Sequence, residues 1–351
     1  MTAGASEVEI RVEGRVGRIT VNRPKALNAI SHDIVRAVSA ALPAWAADDD
    51  VRMLVIDATG DKAFCAGGDL MEIYRAGTEG DYEPARAFWR DEYRMNAALF
   101  RFPKPVAAFL HGFTMGGGVG LGCHGSHRIV GDSTRIAMPE TSIGLVPDVG
   151  GSLLLAQAPG RLGEYLATTA RRMGPGDALH AGFADYYVPE DRWEALKAEL
   201  AESGDWAAID EAAEAAPDGT LAALAPEIDR HFSGERLGDI LRSLRAEGGA
   251  FAGDTLERIE GNAPLAMAAA VEMVHRLRGP AATIERALDL EHRYTYRAIA
   301  QGDFLEGIRA ALVDRDRAPR WTHALDAVPV AEVAAMLMPL GEAALDLGGQ
   351  A

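Results

Sequence analysis

Two glycine-rich stretches carry the strongest signal for the fold, KAFCAGGDL at residues 62–70 and HGFTMGGGVG at residues 111–120. Each follows a short apolar run, residues 53–56 and 105–110, with the length and composition of a buried parallel strand. Glycine has no Cβ, so the backbone there can approach a ligand closely or adopt a positive φ. If a helix begins after Gly118, its first amides have no partner within the helix and point toward whatever lies before them. The pattern therefore predicts two strand-to-loop turns that present backbone N–H groups.

The same glycines also fit tight turns or close packing, because a glycine-rich match on its own has a high false-positive rate. A dinucleotide-binding loop explains them less well. The G-x-G-x-x-G spacing in a β-α-β unit, with an acidic residue about 20 positions later, is missing, and so is a Walker-type lysine. The interpretation with a specific chemistry is a pair of amides that stabilise an oxygen gaining negative charge.

Strand and helix patterns alternate through the first 190 residues. Apolar and polar residues alternate over 8–12 and 16–21, which predicts a β-hairpin or two adjacent strands. Ser31 is placed to cap a helix whose apolar residues recur at helical spacing. Further along we predict a loop at residues 72–81 and helices at residues 84–100 and 161–181. A strand is predicted at residues 184–188. This alternation predicts an α/β fold with buried sheets.

The composition changes near residue 190. Alanine, leucine, glutamate and arginine then prevail, and runs of β-branched residues become rare. We predict five helices here, at residues 194–201, 237–246, 264–277, 282–300 and 329–337. The acidic, alanine-rich stretch 203–217 is predicted to be a flexible connection. The expected organisation is a core domain over residues 1–200 and a helical C-terminal region over residues 201–351.

Charge and cysteine content narrow the class of protein. The formal net charge of −17 opposes non-specific binding to nucleic acid and to anionic membranes. The two cysteines, Cys65 and Cys123, are too few for a disulfide scaffold and lack the spacing of a metal site. The first 14 residues show no signal-peptide pattern, and no apolar run reaches the length of about 18 residues that spans a membrane. We expect a cytoplasmic protein with no membrane or nucleic-acid partner.

Several motifs together resemble the crotonase (enoyl-CoA hydratase/isomerase) superfamily. The two glycine-rich stretches match it, and RPKALNA at residues 23–29 resembles its N-terminal signature. Within the superfamily, MPETSIGLVPDVGG at 138–151 and EGIRAALVD at 306–314 resemble the 3-hydroxyisobutyryl-CoA hydrolase branch. The order and spacing of the motifs agree over roughly residues 8–325, which makes the likeness more specific than any single motif.

The resemblance implies a crotonase fold, an α/β arrangement of stacked β-β-α units with a helical C-terminal region that covers an acyl-CoA site. It implies that the backbone amides of Ala66 and Gly117 form an oxyanion hole for the thioester oxygen. Further substrate contacts are implied at residues of the matching N-terminal and first glycine-rich motifs, namely Lys25, Ala26, Leu27, Gly67, Gly68 and Asp69. Arg309 is a candidate phosphate contact, or equally a surface charge.

The positions of the acidic residues indicate whether the sequence fits a hydratase or a hydrolase. Hydratases of the superfamily use two glutamates to hold a water, one of them three positions after the residue that matches Gly117. Here that position is Gly120, which can neither position a water nor carry its proton. The second glutamate matches Glu140, and Asp148 follows where hydratases typically lack an acid. The resemblance implies Glu140 as the attacking or water-activating carboxylate and Asp148 as its partner, with covalent and general-base mechanisms both open.

Glu92 matches a substrate-contacting acid of the hydrolase branch that accepts a hydrogen bond from a 3-hydroxyl group. The alternative for Glu92 is one charge among several on a solvated helix face. His111, His124 and His127 do not have the spacing of metal ligands on one face, so packing or surface roles fit them better. We expect no metal and no cofactor other than the coenzyme A of the substrate.

The predicted function is hydrolysis of a short 3-hydroxyacyl-CoA thioester, with 3-hydroxyisobutyryl-CoA of valine breakdown as the leading substrate. An enoyl-CoA isomerase or weak hydratase is the first alternative, because isomerisation needs one base and Glu140 can be that base. A non-catalytic acyl-CoA binder is the second. The resemblance also suggests a homo-oligomer formed through the helical region.

Overall fold

The structure, a computed structural model, describes residues 6–348. Strands in this part of the chain are β1 Val8–Glu13, β2 Val16–Val21, β3 Met53–Ala58, β4 Ala63–Cys65, β5 Val106–Leu110, β6 Phe113–Met115, β7 His127–Val130, β8 Arg135–Ala137 and β9 Tyr186–Tyr187. The helices up to residue 212 are α1 His32–Ala47, α2 Leu70–Thr78, α3 Glu83–Phe100, α4 Gly117–Gly122, α5 Gly151–Gln157, α6 Leu162–Thr169, α7 Pro175–His180, α8 Trp193–Ser203 and α9 Ala207–Ala212.

The remainder of the described chain is helical. Its helices are α10 Leu221–His231, α11 Leu237–Glu247, α12 Gly249–Glu260, α13 Pro264–Arg276, α14 Ile284–Gln301, α15 Phe304–Ile308 and α16 Val330–Met336, with a π-helical turn at Arg309–Val313. Short 3₁₀ turns lie at Pro24–Ala26, Glu140–Ile143, Glu190–Arg192, Gly279–Ala281 and Gly341–Ala343. All five helices predicted after residue 190 are present. None of the helices described is long and apolar enough to cross a bilayer.

The chain forms two compact units, each assembled from three separate pieces. The first contains the residues up to Gly68, then Arg94–Ala137 and Arg172–Thr220. The second contains Asp69–Tyr93, Met138–Arg171 and the chain from Leu221 onward. All nine strands belong to the first unit, whereas the second is built from helices. The expected division into residues 1–200 and 201–351 stays a prediction.

The first unit contains two sheets. The larger has the order β1-β2-β3-β5-β7-β9, with β1 and β2 antiparallel and every other pair parallel. The smaller is parallel, in the order β4-β6-β8. Three successive passes of the chain each add one strand to the large sheet and the next strand to the small one, as β3–β4, β5–β6 and β7–β8. The predicted fold of stacked turns and the predicted N-terminal hairpin are confirmed.

Burial explains why these short runs are strands. In β5 every residue is buried, and in β3 all but the last are, which is the composition expected of parallel strands covered on both faces. Gly112 makes the tight turn between β5 and β6 with φ +55°, and a Cβ there would lie 2.2 Å from the Lys62 carbonyl oxygen. The glycine is therefore required where one stacked turn passes over the previous one.

The second unit has its core around α13, whose long apolar face is buried. This helix packs against α5 and α6, and α14 packs against α5 and α16. Helix α14 begins at the N-cap Thr283, whose hydroxyl accepts a hydrogen bond from the Arg286 N–H. Its buried face is mostly apolar but also includes the acidic residue Glu291 and the aromatic residue Tyr294.

Three local predictions are wrong. Residues 72–81 were expected to be a loop, but most of them belong to α2, because Ile73 and Gly77 form a buried stripe that the polar residues around them obscure. Residues 161–181 form two helices, since Ala170 adopts φ +51° and Pro175 opens a new helix. The stretch 203–217 is not wholly a flexible connection, because it contains α9, which buries Ile209.

Candidate active site

Three of the predicted acids come together in the second unit. Glu92 lies on α3, Glu140 opens the 3₁₀ turn Glu140–Ile143, and Asp148 lies in the loop that leads to α5. Their side chains are 2%, 6% and 5% exposed, respectively. Carboxyl groups are rarely buried to this extent unless they are paired or functional. The solvated-face alternative for Glu92 therefore does not hold, and Glu140 is not a surface charge either.

Burial and mutual repulsion keep these carboxyl groups protonated to unusually high pH. Desolvation raises the pKa of Asp148 to about 7. Desolvation followed by the charge of Asp148 raises the pKa of Glu92 and of Glu140 well above the ordinary range. Glu291 and Glu92 raise the pKa of Glu140 further. The group therefore cannot be fully ionised at neutral pH, and proton donors and acceptors coexist within it.

A tyrosine singles out Asp148 among the three acids. The Tyr93 hydroxyl donates a hydrogen bond to Asp148 Oδ2 over 2.8 Å and lies 3.3 Å from the Thr295 hydroxyl oxygen on α14. This bond and one from the backbone N–H of Asp148 lower the pKa of Asp148 against the opposing effect of burial. Among the three acids, Asp148 thus has a side-chain hydrogen bond that favours its ionised form.

Two carboxyl oxygens of the group have no hydrogen-bond partner within residues 6–348. They are Glu92 Oε1 and Glu140 Oε2, and both are fully buried. Buried polar atoms are almost always hydrogen-bonded. Two buried oxygens without a partner therefore indicate a place where a polar group of a ligand can bind. The arrangement suits a small acyl group with a hydroxyl or a polarised carbonyl.

Glu291 is a member of the acidic group that sequence reasoning missed. It is fully buried on α14, and its two carboxyl oxygens accept hydrogen bonds from the backbone N–H groups of Gly150 (2.8 Å) and Ser152 (3.1 Å). The Ser152 hydroxyl also donates to it. The available signal was an acidic residue at a core-facing position of an amphipathic helix. Tyr93 was missed too, although it adjoins Glu92.

The predicted oxyanion residues lie in the first unit. Gly117 begins α4, preceded by Gly116 at φ +49°, and the N–H of Gly117 makes no hydrogen bond within the described residues. A Cβ on Gly118 would lie 2.3 Å from the Cys65 carbonyl oxygen, which explains the third glycine of the triplet. The Gly117 amide thus has the free donor that the prediction requires.

Ala66 does not fit its predicted role. Its backbone N–H already donates to the Leu27 carbonyl oxygen over 3.0 Å, so the amide is not available to an acyl oxygen. Two residues further on, Gly68 pairs with Ile30 in an isolated parallel bridge, and its own N–H has no partner among residues 6–348. Gly67, between them, has φ +117°. The free amide of this loop therefore belongs to Gly68.

The remaining predicted contacts divide between the two units. Lys25 and Leu27 line a cavity of about 260 Å³ in the first unit together with Lys62, and Ala26 lies between them in the 3₁₀ turn Pro24–Ala26. Asp69 is the residue before α2. Arg309, in contrast, is engaged by acidic neighbours on its own segment, Glu306, Asp314 and Asp316. Of the two alternatives for Arg309, these ion pairs favour the structural charge.

The histidines take packing positions. His127 stacks on Tyr186, and His124 contacts the Phe100 ring edge-on. Burial is the main cause that lowers the pKa of His111. Among the residues that the structure describes, no cluster of three or more histidine, cysteine or acidic side chains is arranged to hold a metal ion.

The comparisons with known proteins agree on one family. The model of the enoyl-CoA hydratase/isomerase family matches residues 16–337. The 3-hydroxyisobutyryl-CoA hydrolase of Gallus gallus is 35% identical over 99% of this chain and 92% of its own length. The corresponding Homo sapiens protein is 34% identical over 92% of this chain and 86% of its own. Both of these relatives are named as mitochondrial.

Two solved structures resemble the chain over nearly its whole length. An enoyl-CoA hydratase from Rhodobacter sphaeroides is 53% identical, with a TM-score of 0.93, and covers 97% of this chain and 100% of its own. A carnitinyl-CoA dehydratase from Mycobacterium thermoresistibile is 39% identical, with a TM-score of 0.92, and covers 98% and 99%. The chain therefore belongs to the enoyl-CoA hydratase/isomerase (crotonase) family, and within it to the group that includes the 3-hydroxyisobutyryl-CoA hydrolases.

Proposed function

We propose that the protein hydrolyses the thioester of a short 3-hydroxyacyl-CoA, with 3-hydroxyisobutyryl-CoA as the leading substrate. The observation that carries the proposal is the buried pair of Glu140 and Asp148, combined with Gly120 where a hydratase needs its first glutamate. The names of the curated relatives support the same substrate. From the substrate in their name we also propose that the reaction belongs to valine breakdown.

The chemistry needs one ionised and one protonated carboxyl group. The ionised member of the pair attacks the thioester carbon or takes a proton from an attacking water, and the C–S bond breaks as the coenzyme A thiolate leaves. The protonated member gives its proton to that sulfur, which releases the free thiol. If water attacks, the acyl group leaves directly as the free acid. If the carboxylate attacks, the acyl group forms an anhydride with the enzyme, and a water molecule then hydrolyses that anhydride to the free acid. The Tyr93 hydrogen bond favours Asp148 as the ionised member, which leaves Glu140 as the proton donor at the start of the cycle.

We propose that Glu92 recognises the 3-hydroxyl group. Its Oε1 is buried and has no partner within residues 6–348, so a hydroxyl group that reaches it supplies the missing hydrogen bond. A substrate without the hydroxyl leaves this atom unsatisfied, and sites built for a polar group discriminate strongly against analogues that lack it.

Developing negative charge on the acyl oxygen calls for preorganised N–H donors. We propose that the amides of Gly117 and Gly68 take this role, with Gly68 in place of Ala66. Lys25, Ala26, Leu27, Gly67 and Asp69 remain proposed substrate contacts. Lys25 and Lys62, on one cavity, are the cations best placed for the phosphates of coenzyme A. No further cofactor enters this mechanism.

A hydratase or isomerase is the second candidate, because the two solved relatives above are described as a hydratase and a dehydratase. Gly120 argues against hydration, since a single glutamate cannot both hold the water and return its proton. Isomerisation stays feasible with Glu140 alone. The Asp148→Asn substitution separates the two activities, because hydrolysis should fall steeply while double-bond migration should change little.

The decisive experiment follows release of free coenzyme A thiol from 3-hydroxyisobutyryl-CoA, 3-hydroxypropionyl-CoA and crotonyl-CoA. We expect thiol release from the first two. Turnover of crotonyl-CoA without thiol release would reject hydrolysis in favour of the second candidate. Binding of all three without any turnover, unchanged by Glu140→Ala, would indicate an acyl-CoA binder.

We also propose that the chain acts in the cytoplasm and self-associates. The curated relatives are named as mitochondrial, so a fractionation experiment has to decide between the two locations. Sedimentation of the purified protein measures the assembly state directly.

A further inference from the structure

Asp148 precedes a backbone turn of unusual conformation. Val149 has φ +55° and Gly150 has φ +80°. A β-branched residue rarely adopts the left-handed region, and it does so only where the surrounding structure holds it there. Within the turn the Gly151 N–H donates to the Asp148 carbonyl oxygen over 2.7 Å. The direction of the Asp148 side chain therefore depends on whatever stabilises residues 149–152.

Glu291 supplies that stabilisation. Its carboxyl oxygens accept hydrogen bonds from the N–H groups of Gly150 (2.8 Å) and Ser152 (3.1 Å), and from the Ser152 hydroxyl. The side chain is fully buried, and within residues 6–348 it forms no ion pair with a lysine or arginine. A buried carboxyl group without a cationic partner is costly, so its retention here requires the backbone donors that it satisfies.

The same helix also holds the donor to Asp148. One turn after Glu291, Thr295 contacts the Tyr93 hydroxyl, and the His292 ring packs edge-on against the Tyr93 ring with centroids 6.1 Å apart. Helix α14 therefore fixes both the backbone that carries Asp148 and the hydroxyl group that stabilises its ionised form.

We propose that Glu291 is a positioning residue that holds the turn at residues 149–152 so that Asp148 reaches its place beside Tyr93. The inference rests on the proposed function, since it gives Asp148 a role in thioester hydrolysis. Glu291 does not contact the substrate in this proposal. It acts through the backbone of the turn, whose N–H groups it accepts from.

The test compares Glu291→Gln with the matched control Glu164→Gln. Glu164 is equally buried in the same unit, but its partners are His275, Arg278 and Arg161, which do not belong to the acidic group. In Glu291→Gln the amide NH₂ faces a backbone N–H and the turn loosens. We expect kcat to fall by about 10- to 100-fold with little change in KM, as for a misplaced catalytic group.

The pH dependence of the rate distinguishes a positioning role of Glu291 from a general loss of stability. If Asp148 leaves its place beside Tyr93, it loses the hydrogen bond that lowers its pKa, so the rising limb of the rate profile should move to higher pH in Glu291→Gln. Glu164→Gln should lower the melting temperature without moving that limb. Equal profiles for wild type and Glu291→Gln would overturn the proposal.

A double-mutant cycle with a second variant tests the same coupling from the backbone of the turn. Glycine adopts positive φ without strain, so Val149→Gly should reduce the need for Glu291. We expect Val149→Gly to lower kcat less in the Glu291→Gln background than in the wild-type background, and additive effects would contradict the proposal. Infrared titration of the protonated carboxyl groups in the wild type and in Glu291→Gln measures the same pKa shift without turnover. Failure of the wild type to release thiol rejects the proposed function, whereas an unshifted titration rejects the role of Glu291.

Discussion

The Tyr93 hydroxyl donates to Asp148 Oδ2 across 2.8 Å in a fully buried environment that contains three further carboxyl groups. A hydrogen bond to the charged form of an acid favours ionisation, whereas burial and like charges oppose it. Tyr93 therefore lowers the pKa of Asp148 against the burial that raises it, whereas for Glu92 and Glu140 burial and the charge of Asp148 raise the pKa. The consequence is an ordered set of protonation states, which the following predictions test.

Tyr93→Phe should raise the pKa of Asp148 and slow hydrolysis at neutral pH. Hydrogen bonds to charged groups contribute about 1.5–3 kcal/mol, which corresponds to a loss of roughly 10- to 100-fold in rate. The measurement is the pH profile of thiol release, whose rising limb should move to higher pH. Tyr165→Phe is the matched control, since Tyr165 is also buried in the second unit and its hydroxyl accepts from Arg171. An unchanged profile in Tyr93→Phe would show that the bond has no catalytic role.

Asp148→Asn and Glu140→Gln should each reduce kcat for thiol release by about 10²- to 10⁴-fold, the range typical of a general acid or base. Substrate binding, measured by calorimetry with a non-hydrolysable thioether analogue, should change much less. Asp177→Asn serves as the control, because Asp177 is a buried acid that binds the Thr220 N–H in the first unit. A variant at 148 or 140 that keeps wild-type kcat would remove that residue from the mechanism.

Glu92→Gln should change selectivity more than rate. Replacing the acid weakens the hydrogen bond to a 3-hydroxyl group, so kcat/KM for 3-hydroxyisobutyryl-CoA should fall by about 10-fold or more, in line with the contribution of such bonds. Hydrolysis of isobutyryl-CoA, which lacks the hydroxyl, should be nearly unchanged. The comparison of the two substrates in wild type and variant gives the coupling directly. Equal losses for both would mean that Glu92 serves the acid cluster rather than the hydroxyl group.

The wild-type protein should show opposite pH trends in activity and stability. Thiol release should increase as pH rises through about 7, where Asp148 loses its proton. In the unfolded chain an aspartate has a pKa of about 3.9, so between these values the native state binds more protons than the unfolded state. The free energy of unfolding should therefore decrease over that range as pH rises. Urea titrations at several pH values check the trend, and Asp148→Asn should make it shallower.

Gly118→Ala should destabilise the first unit and impair activity. The added Cβ would lie 2.3 Å from the Cys65 carbonyl oxygen, a backbone atom that cannot move without shifting β4. Overpacking of this kind costs about 1–3 kcal/mol in unfolding free energy. Gly253→Ala is the control, because nothing lies within 4 Å of its Cβ position in α12. It should leave stability unchanged or raise it by up to about 1 kcal/mol. Urea denaturation measures both.

The sequence predicted an α/β fold from features that are local along the chain, and the stacked arrangement came from the resemblance to the crotonase superfamily. Apolar runs of strand length, glycines at the turns between them and the helical pattern after residue 190 all depend on neighbouring residues. Where a local pattern was ambiguous the prediction failed. The polar residues of α2 hid the stripe formed by Ile73 and Gly77, and the amide of Ala66 turned out to be bonded to Leu27, a partner that no spacing rule identifies.

The residue types needed for the chemistry are determined by the sequence alone: an acid at 140 and at 148, and a glycine at 120 where hydration needs a carboxylate. Their protonation states were decided only by the tertiary structure. A pKa depends on burial and on charges and hydrogen bonds in space, and the groups responsible come from distant segments, Tyr93 on α3 and Glu291 on α14. The chain has to fold before these groups meet, so no local pattern can report their interaction.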